Sequence, residues 1–232
     1  MNHSKIGLIT YQHNHLKTAQ VLEGLLQKHP NSAISLFALP FVPRPKRPVL
    51  LEHRPEQEAG LHPADLARQY KLSYTPLQND ADLPGGCDIY IITGAGILSP
   101  ACVEGKKILN GHSGIIPLSR GLDSFKWAVY HRQPVGNTLH FIDCEVDKGD
   151  IVSVIPTPVY PSDTLETFAA RHYALEIDML IHFEEHLSHP QNPFAGCPAG
   201  SATRRMPMET EEALWEKFEE YKCSDQWVVD SD

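Results

Sequence analysis

Two stretches carry side chains whose types and spacing suit chemistry. In Ile108-Leu109-Asn110-Gly111-His112 an amide and an imidazole stand two residues apart at the end of an apolar run. Residues i and i+2 of a strand project to the same side, so Asn110 and His112 are aimed into one space. Gly111 between them leaves room for a close approach by substrate or backbone. Asp147 follows downstream, beside Gly149 at the mouth of a second apolar run. A carboxamide, an imidazole and a carboxylate are sufficient parts for acyl transfer. The amide stabilises an oxyanion, the imidazole moves a proton, and the carboxylate sets the imidazole's charge and tautomer. Each of the three alone is ordinarily a satisfied structural group; the set at this spacing points to an active site.

The surrounding pattern supplies elements to position them. Lys5 to Thr10 is apolar and β-branched, as in a buried parallel strand. After a polar loop from Tyr11 to His15, Asn14 is the expected cap of a helix running to Lys28, with Leu16, Ala19, Leu22, Leu25 and Leu26 on one face. Ile34 to Leu39 reads as a second strand, which begins a βαβ arrangement. Residues 40–62 are proline-rich and carry Arg44, Lys46, Arg47 and Arg54. They form no regular element and read as a solvated flap, or as a loop that closes on an acceptor phosphate through charge-assisted bonds. A short helix over 63–70 and an edge strand over 72–75 come next. Asp88 to Ile92 is a strand that runs into Gly94-Ala95-Gly96-Ile97-Leu98, where two glycines let backbone approach a ligand.

Lys107 to Leu109 is the strand that delivers Asn110 and His112. Ser124 to His131 reads as helix, and Thr138 to Ile142 and Ile151 to Val159 as strands around Asp147. Ser162 or Asp163 is expected to cap a long helix through His186. A linker over 193–201 and a helix from Glu211 to Tyr221, capped by Thr210, close the chain. Residues 1–190 are the expected catalytic domain and 191–232 a C-terminal extension with one helix.

The chain has 232 residues, 41% of them hydrophobic, with a formal net charge of −9. That balance argues against nucleic acid as a partner. No run approaches the length of a membrane span, and the apolar segment near the start is too short for a signal peptide. Five scattered cysteines without paired spacing fit a reduced, cytoplasmic setting and show no structural metal site. His13 and His15 have ligand-like spacing but read as a polar loop, or as contacts to an acceptor; no metal is expected. Trp127 reads as core.

Asn110, His112, Pro117, Gly121, Asp147 and Gly149, with Gly136, Thr138 and His140 between them, resemble the pattern of the folate-dependent formyltransferases. That family includes glycinamide ribonucleotide, methionyl-tRNA and nucleotide-amino-sugar N-formyltransferases. The resemblance implies an α/β fold: a Rossmann-like open, mostly parallel sheet with helices on both faces, its site at the carboxyl ends of the strands. It implies one-carbon transfer, with 10-formyltetrahydrofolate as co-substrate and a small-molecule primary amine as acceptor. Asn110, His112 and Asp147 would be catalytic, with His140 supporting Asp147. Gly94, Ala95, Gly96, Ile97, Leu98 and Gly149 would meet the folate. His13, His15, Arg44 and Arg47 would meet the acceptor.

Two departures bear on that acceptor. Ser113 and Gly114 stand where many members have Pro and Ser, which opens the loop. The loop after the first strand lacks the glycines of the glycinamide ribonucleotide enzymes' phosphate loop. The residues after the long helix are too few for the tRNA enzyme's extra domain. A nucleotide-linked amino sugar is therefore the leading acceptor and glycinamide ribonucleotide the alternative. Hydrolysis of 10-formyltetrahydrofolate and folate binding without turnover remain open, as does monomer against homodimer.

Overall fold

The computed structural model describes residues 3–43, 47–143 and 150–223. In chain order the elements are β1 (Lys5–Tyr11), α1 (Leu16–Lys28), β2 (Ala33–Leu39), α2 (Pro63–Tyr70), β3 (Ser73–Pro76), β4 (Ile89–Ile92), α3 (Pro100–Val103), β5 (Ile108–His112), β6 (Arg120–Gly121), α4 (Ser124–Tyr130), β7 (Gly136–Phe141), β8 (Ile151–Pro156), α5 (Leu165–Ile181), α6 (Phe183–Ser188), β9 (Ala202–Thr203), α7 (Met208–Glu211) and α8 (Leu214–Lys222).

Seven strands form one sheet in the order β3-β2-β1-β4-β5-β7-β8. The first five are mutually parallel, and β7 and β8 join antiparallel. Side-chain alternation gives the sheet two apolar faces. Ile6, Leu8, Leu36, Ile91 and Leu109 pack with Leu22 and Leu25 of α1 and Leu180 of α5. Ile9, Phe37, Tyr90 and Ile108 face the other way, onto Cys102 and Val103 of α3. This is the expected open α/β sheet with helices on both faces. A third cluster joins Phe125 and Val129 of α4, Phe168 of α5, Leu214 and Phe218 of α8, and Leu51 from the proline-rich segment.

Several boundaries differ from the sequence pattern for identifiable reasons. The residue at the α1 N-cap is His15 rather than Asn14, and no side chain caps it. The His15 N–H donates to Leu61 O at 3.3 Å, which keeps that residue extended. Helix α5 is capped by Thr164 in a reciprocal pair with Thr167, not by Ser162 or Asp163. The Asp163 carboxylate is taken up by the Arg171 fork at 2.6 and 2.7 Å. The expected single helix to His186 breaks at His182 into α5 and α6, and the last helix breaks into α7 and α8.

Strand β5 extends through His112, so Asn110 and His112 lie within the sheet. The pairing of β6 with β9 was not expected, because two-residue strands carry no periodicity. It straps the C-terminal segment across the loop after β5: Thr203 Oγ1 donates to Arg120 O and Leu122 O, and Trp127 Nε1 donates to Arg204 O at 2.7 Å. Gly121 has φ +90, and a Cβ there would stand 2.4 Å from Thr203 O. Among the described residues no helix is long and apolar enough to cross a membrane.

Candidate active site

The chain leaves β1 toward β2 on one side and returns to β4 on the other, so a crevice opens at the carboxyl ends of these two strands. A cavity of about 340 Å³ lies there. Tyr11 and His15 border it at and after the end of β1, Ile92 to Ala95 at and after the end of β4, and Asn110 to Ser113 at and just after the end of β5. It joins a cleft of about 1410 Å³ along residues 47–58, bordered also by His13, Phe41 and Glu166. His53, Arg54, Gln57, Asp123 and Arg205 border both spaces.

Asn110 is in register with His140 on β7, and its Nδ2 lies 3.1 Å from His140 Nε2. His140 Nδ1 lies 3.2 Å from Phe141 O. A carbonyl only accepts, so Nδ1 carries the proton and Nε2 accepts from the amide. One amide N–H is thereby committed, and the carboxamide plane is fixed. His112 Nε2 lies 3.0 Å from Ser119 O and donates to it. Ser124 Oγ, 3.5 Å from the same nitrogen, itself donates to Gly121 O. This closure of the loop on the imidazole requires Gly114: a Cβ there would stand 2.8 Å from His112 Nε2, Ser119 O and Ser124 Cβ. Gly111 borders the cavity through its backbone. A Cβ on it would meet Glu176 Cγ and Leu180 at an ordinary 3.4 Å, so its side turns toward α5.

The cavity's most buried charges lie on helices that the sequence reading treated as scaffold. Glu176 of α5 accepts from Lys17 Nζ of α1 at 2.5 Å and from Arg54 at 2.8 Å, with the carboxylate side chain 1% exposed. Burial alone would raise its pKa; Arg54 and Lys17 reverse that and hold it at about 2. Burial lowers the Lys17 pKa despite Glu176. His15 is pushed down to about 4, mainly by burial and then by Lys17 and Arg54. His53 is pushed down to about 3, mainly by burial and then by Arg54 and Lys126. Both imidazoles are neutral near pH 7. The sequence signal for Lys17 and Glu176 is a charge on the apolar face of a helix, where charges are rare unless paired.

The N-terminus of α1, the ordinary phosphate seat in such sheets, is filled from within. Lys17 N–H donates to Gln57 Oε1 at 3.1 Å. Gly60 lies against the same turn, where a Cβ would be 2.3 Å from Leu16 N.

Of the residues expected at the site, Asn110, His112, His140, Gly94, Ala95 and His15 come together around the smaller cavity. His13 and Arg47 border the larger cleft, where the His13 ring stacks on Phe41 at 4.4 Å. Gly96, Ile97 and Leu98 are not part of the cavity wall; Ile97 is 85% exposed and Leu98 packs behind α3. Asp147, Gly149 and Arg44 lie outside the described residues.

Residues 88–183 match the formyl transferase family. A phosphoribosylglycinamide formyltransferase of Haemophilus influenzae is 34% identical over 88 residues, 36% of this chain and 42% of that protein. A methionyl-tRNA formyltransferase of Hydrogenovibrio crunogenus is 30% identical over 98 residues, 40% of this chain and 31% of that one. The matched stretch is thus less than half the length of these relatives. Among solved structures, a 4-N formyltransferase from Francisella tularensis superposes with a TM-score of 0.60 at 15% identity, covering 100% of this chain and 94% of the other. A sugar N-formyltransferase from Shewanella sp. gives 0.54 at 16% identity, covering 88% and 75%. The fold is shared with these solved structures, and residues 88–183 are similar to the formyl transferase family.

Proposed function

We propose that this chain transfers a formyl group from 10-formyltetrahydrofolate to the primary amine of a small acceptor, with a nucleotide-linked amino sugar the leading acceptor. The observation that carries the reading is the convergence of Asn110 and His112 on one cavity at the crevice of the sheet, each fixed by a neighbour. The acceptor amine attacks the formyl carbon. The uncommitted amide N–H of Asn110 and the His112 imidazolium would stabilise the charge that develops on the formyl oxygen, where one such donor is worth on the order of 10² to 10³ in rate. Asp147 would hold His112 charged and help to take the amine proton. As the C–N bond to the folate breaks, its nitrogen regains a proton and tetrahydrofolate leaves. Gly94 and Ala95 offer backbone groups to the folate ring beside Tyr11.

The choice of acceptor rests on two observations. The filled N-terminus of α1 disfavours glycinamide ribonucleotide, whose phosphate would need those N–H groups. The adjoining cleft has room for a nucleotide and carries the stacked His13–Phe41 pair beside Arg47. Solved structures that share the fold include formyltransferases of both acceptor classes and do not separate them. Asn110→Ala and His112→Ala test the reading: each should keep tetrahydrofolate affinity and lower transfer by about 10² or more. Full activity in both variants overturns it.

A further inference from the structure

Ser113 follows His112 on the cavity wall, partly exposed, and its Oγ lies 2.7 Å from Nε2 of His172. His172 is on α5, one helical turn before Glu176, and is 1% exposed. Its Nδ1 lies 2.8 Å from Thr157 Oγ1 and 3.3 Å from Asn137 Nδ2. The orientation of the Asn137 amide is set by the His172 carbonyl, which is 2.9 Å from Nδ2 and can only accept. Asn137 thus presents a donor to Nδ1, and Nδ1 must accept. Burial pushes the ring pKa down to about 3, so the imidazole is neutral. Its single proton therefore sits on Nε2 and is donated to Ser113 Oγ.

That assignment decides what Ser113 can do. A serine nucleophile needs Nε2 as its base; here Nε2 is a donor, and the ring is too weak a base for that task. With one lone pair taken by His172, the hydroxyl proton of Ser113 is released from the helix side and faces the cavity. Ser113 borders the same cavity as Asn110, His112, His53, Arg54 and Glu176, and His53 and Arg54 also border the larger cleft. Resting on the formyl-transfer reading, we propose that Ser113 contacts the acceptor, donating a hydrogen bond to an oxygen next to its reacting amine, a sugar hydroxyl or a carbonyl, with His172 as the positioning residue that orients the hydroxyl.

The test has two arms on the full chain. The first needs no substrate: ¹⁵N spectra of the histidine rings between pH 5 and pH 8. The proposal requires His172 to remain neutral with its proton on Nε2; a proton on Nδ1 overturns it. The second uses the amine that gives the greatest amine-dependent release of tetrahydrofolate. Ser113→Ala should raise the KM for that amine about tenfold, the contribution of one hydrogen bond, with kcat changed by less than about threefold and tetrahydrofolate affinity unchanged. His172→Leu should match it, whereas His172→Gln, which retains a donor toward Ser113, should recover most of the loss. A KM within about twofold of the parent in Ser113→Ala overturns the proposal. Absence of amine-dependent release in the parent chain overturns the transfer reading and this inference with it, so the two failures are distinguishable.

Discussion

Replacing Glu176 by Gln keeps the shape of the side chain and removes the carboxylate that, among the described residues, balances Lys17 and Arg54. The pKa of Glu176 falls from an ordinary 4.5 to about 2 in the folded chain, with the side chain 1% exposed. A carboxyl shifted that far carries about 3 kcal/mol of stability at pH 7. Because the folded-state pKa is depressed, this stability is fully present above the unfolded pKa and is lost as pH falls through the folded one. At pH 3.5 the unfolded carboxyl is already protonated while the folded one is not, and the contribution shrinks to about 2 kcal/mol. Lys17 opposes this: burial lowers its pKa, so the ammonium is the costly partner and the carboxylate the anchored one. Urea unfolding of parent and Glu176→Gln at pH 7 and pH 3.5 is the assay, with equal slopes expected for the two chains. The variant should lose about 3 kcal/mol at pH 7 and about 2 kcal/mol at pH 3.5. A loss below about 1 kcal/mol at pH 7, or one that does not shrink on acidification, refutes the reasoning.

Lys126 and Glu211 form a second buried pair at 2.6 Å, and Glu211 Oε2 also accepts from Leu50 N at 2.6 Å. Lys126→Met should cost about 3 to 5 kcal/mol in chemical unfolding by stranding the carboxylate. The double variant Lys126→Met with Glu211→Gln should recover most of that, because glutamine still accepts from Leu50; no recovery contradicts the assignment. Gly114→Ala places a Cβ against His112 Nε2 and Ser119 O, so transfer should fall by about 10² while tetrahydrofolate affinity holds. Activity near the parent level would mean that the loop does not fix the imidazole.

The strands were legible because each apolar run has a single periodic reading, and Asn110 and His112 because i and i+2 on a strand must share a side. The cap of α5 was misplaced by a residue or two because Ser162, Asp163 and Thr164 are all good caps in isolation; only the Arg171 fork shows that the Asp163 carboxylate is already engaged. His53, Arg54 and Gln57 reach the cavity from a segment without periodicity, so nothing local announces their destination. His172 and Glu176 lay within a helix read for its length, and their partners Ser113, Lys17 and Arg54 are remote in sequence. The strap of β9 on β6 rests on backbone pairing and on Thr203 Oγ1, which leave no compositional trace. Local pattern thus located the Asn110–His112 pair, while the polar wall around it emerged only from long-range packing.

The central claim is tested most directly by following tetrahydrofolate release from 10-formyltetrahydrofolate with nucleotide-linked amino sugars and with glycinamide ribonucleotide, against a control without amine. The account predicts release that depends on an amino sugar, little with glycinamide ribonucleotide, and none without amine. Equal release in the control would make the chain a hydrolase, and release driven by glycinamide ribonucleotide would contradict the filled N-terminus of α1 as a barrier to phosphate.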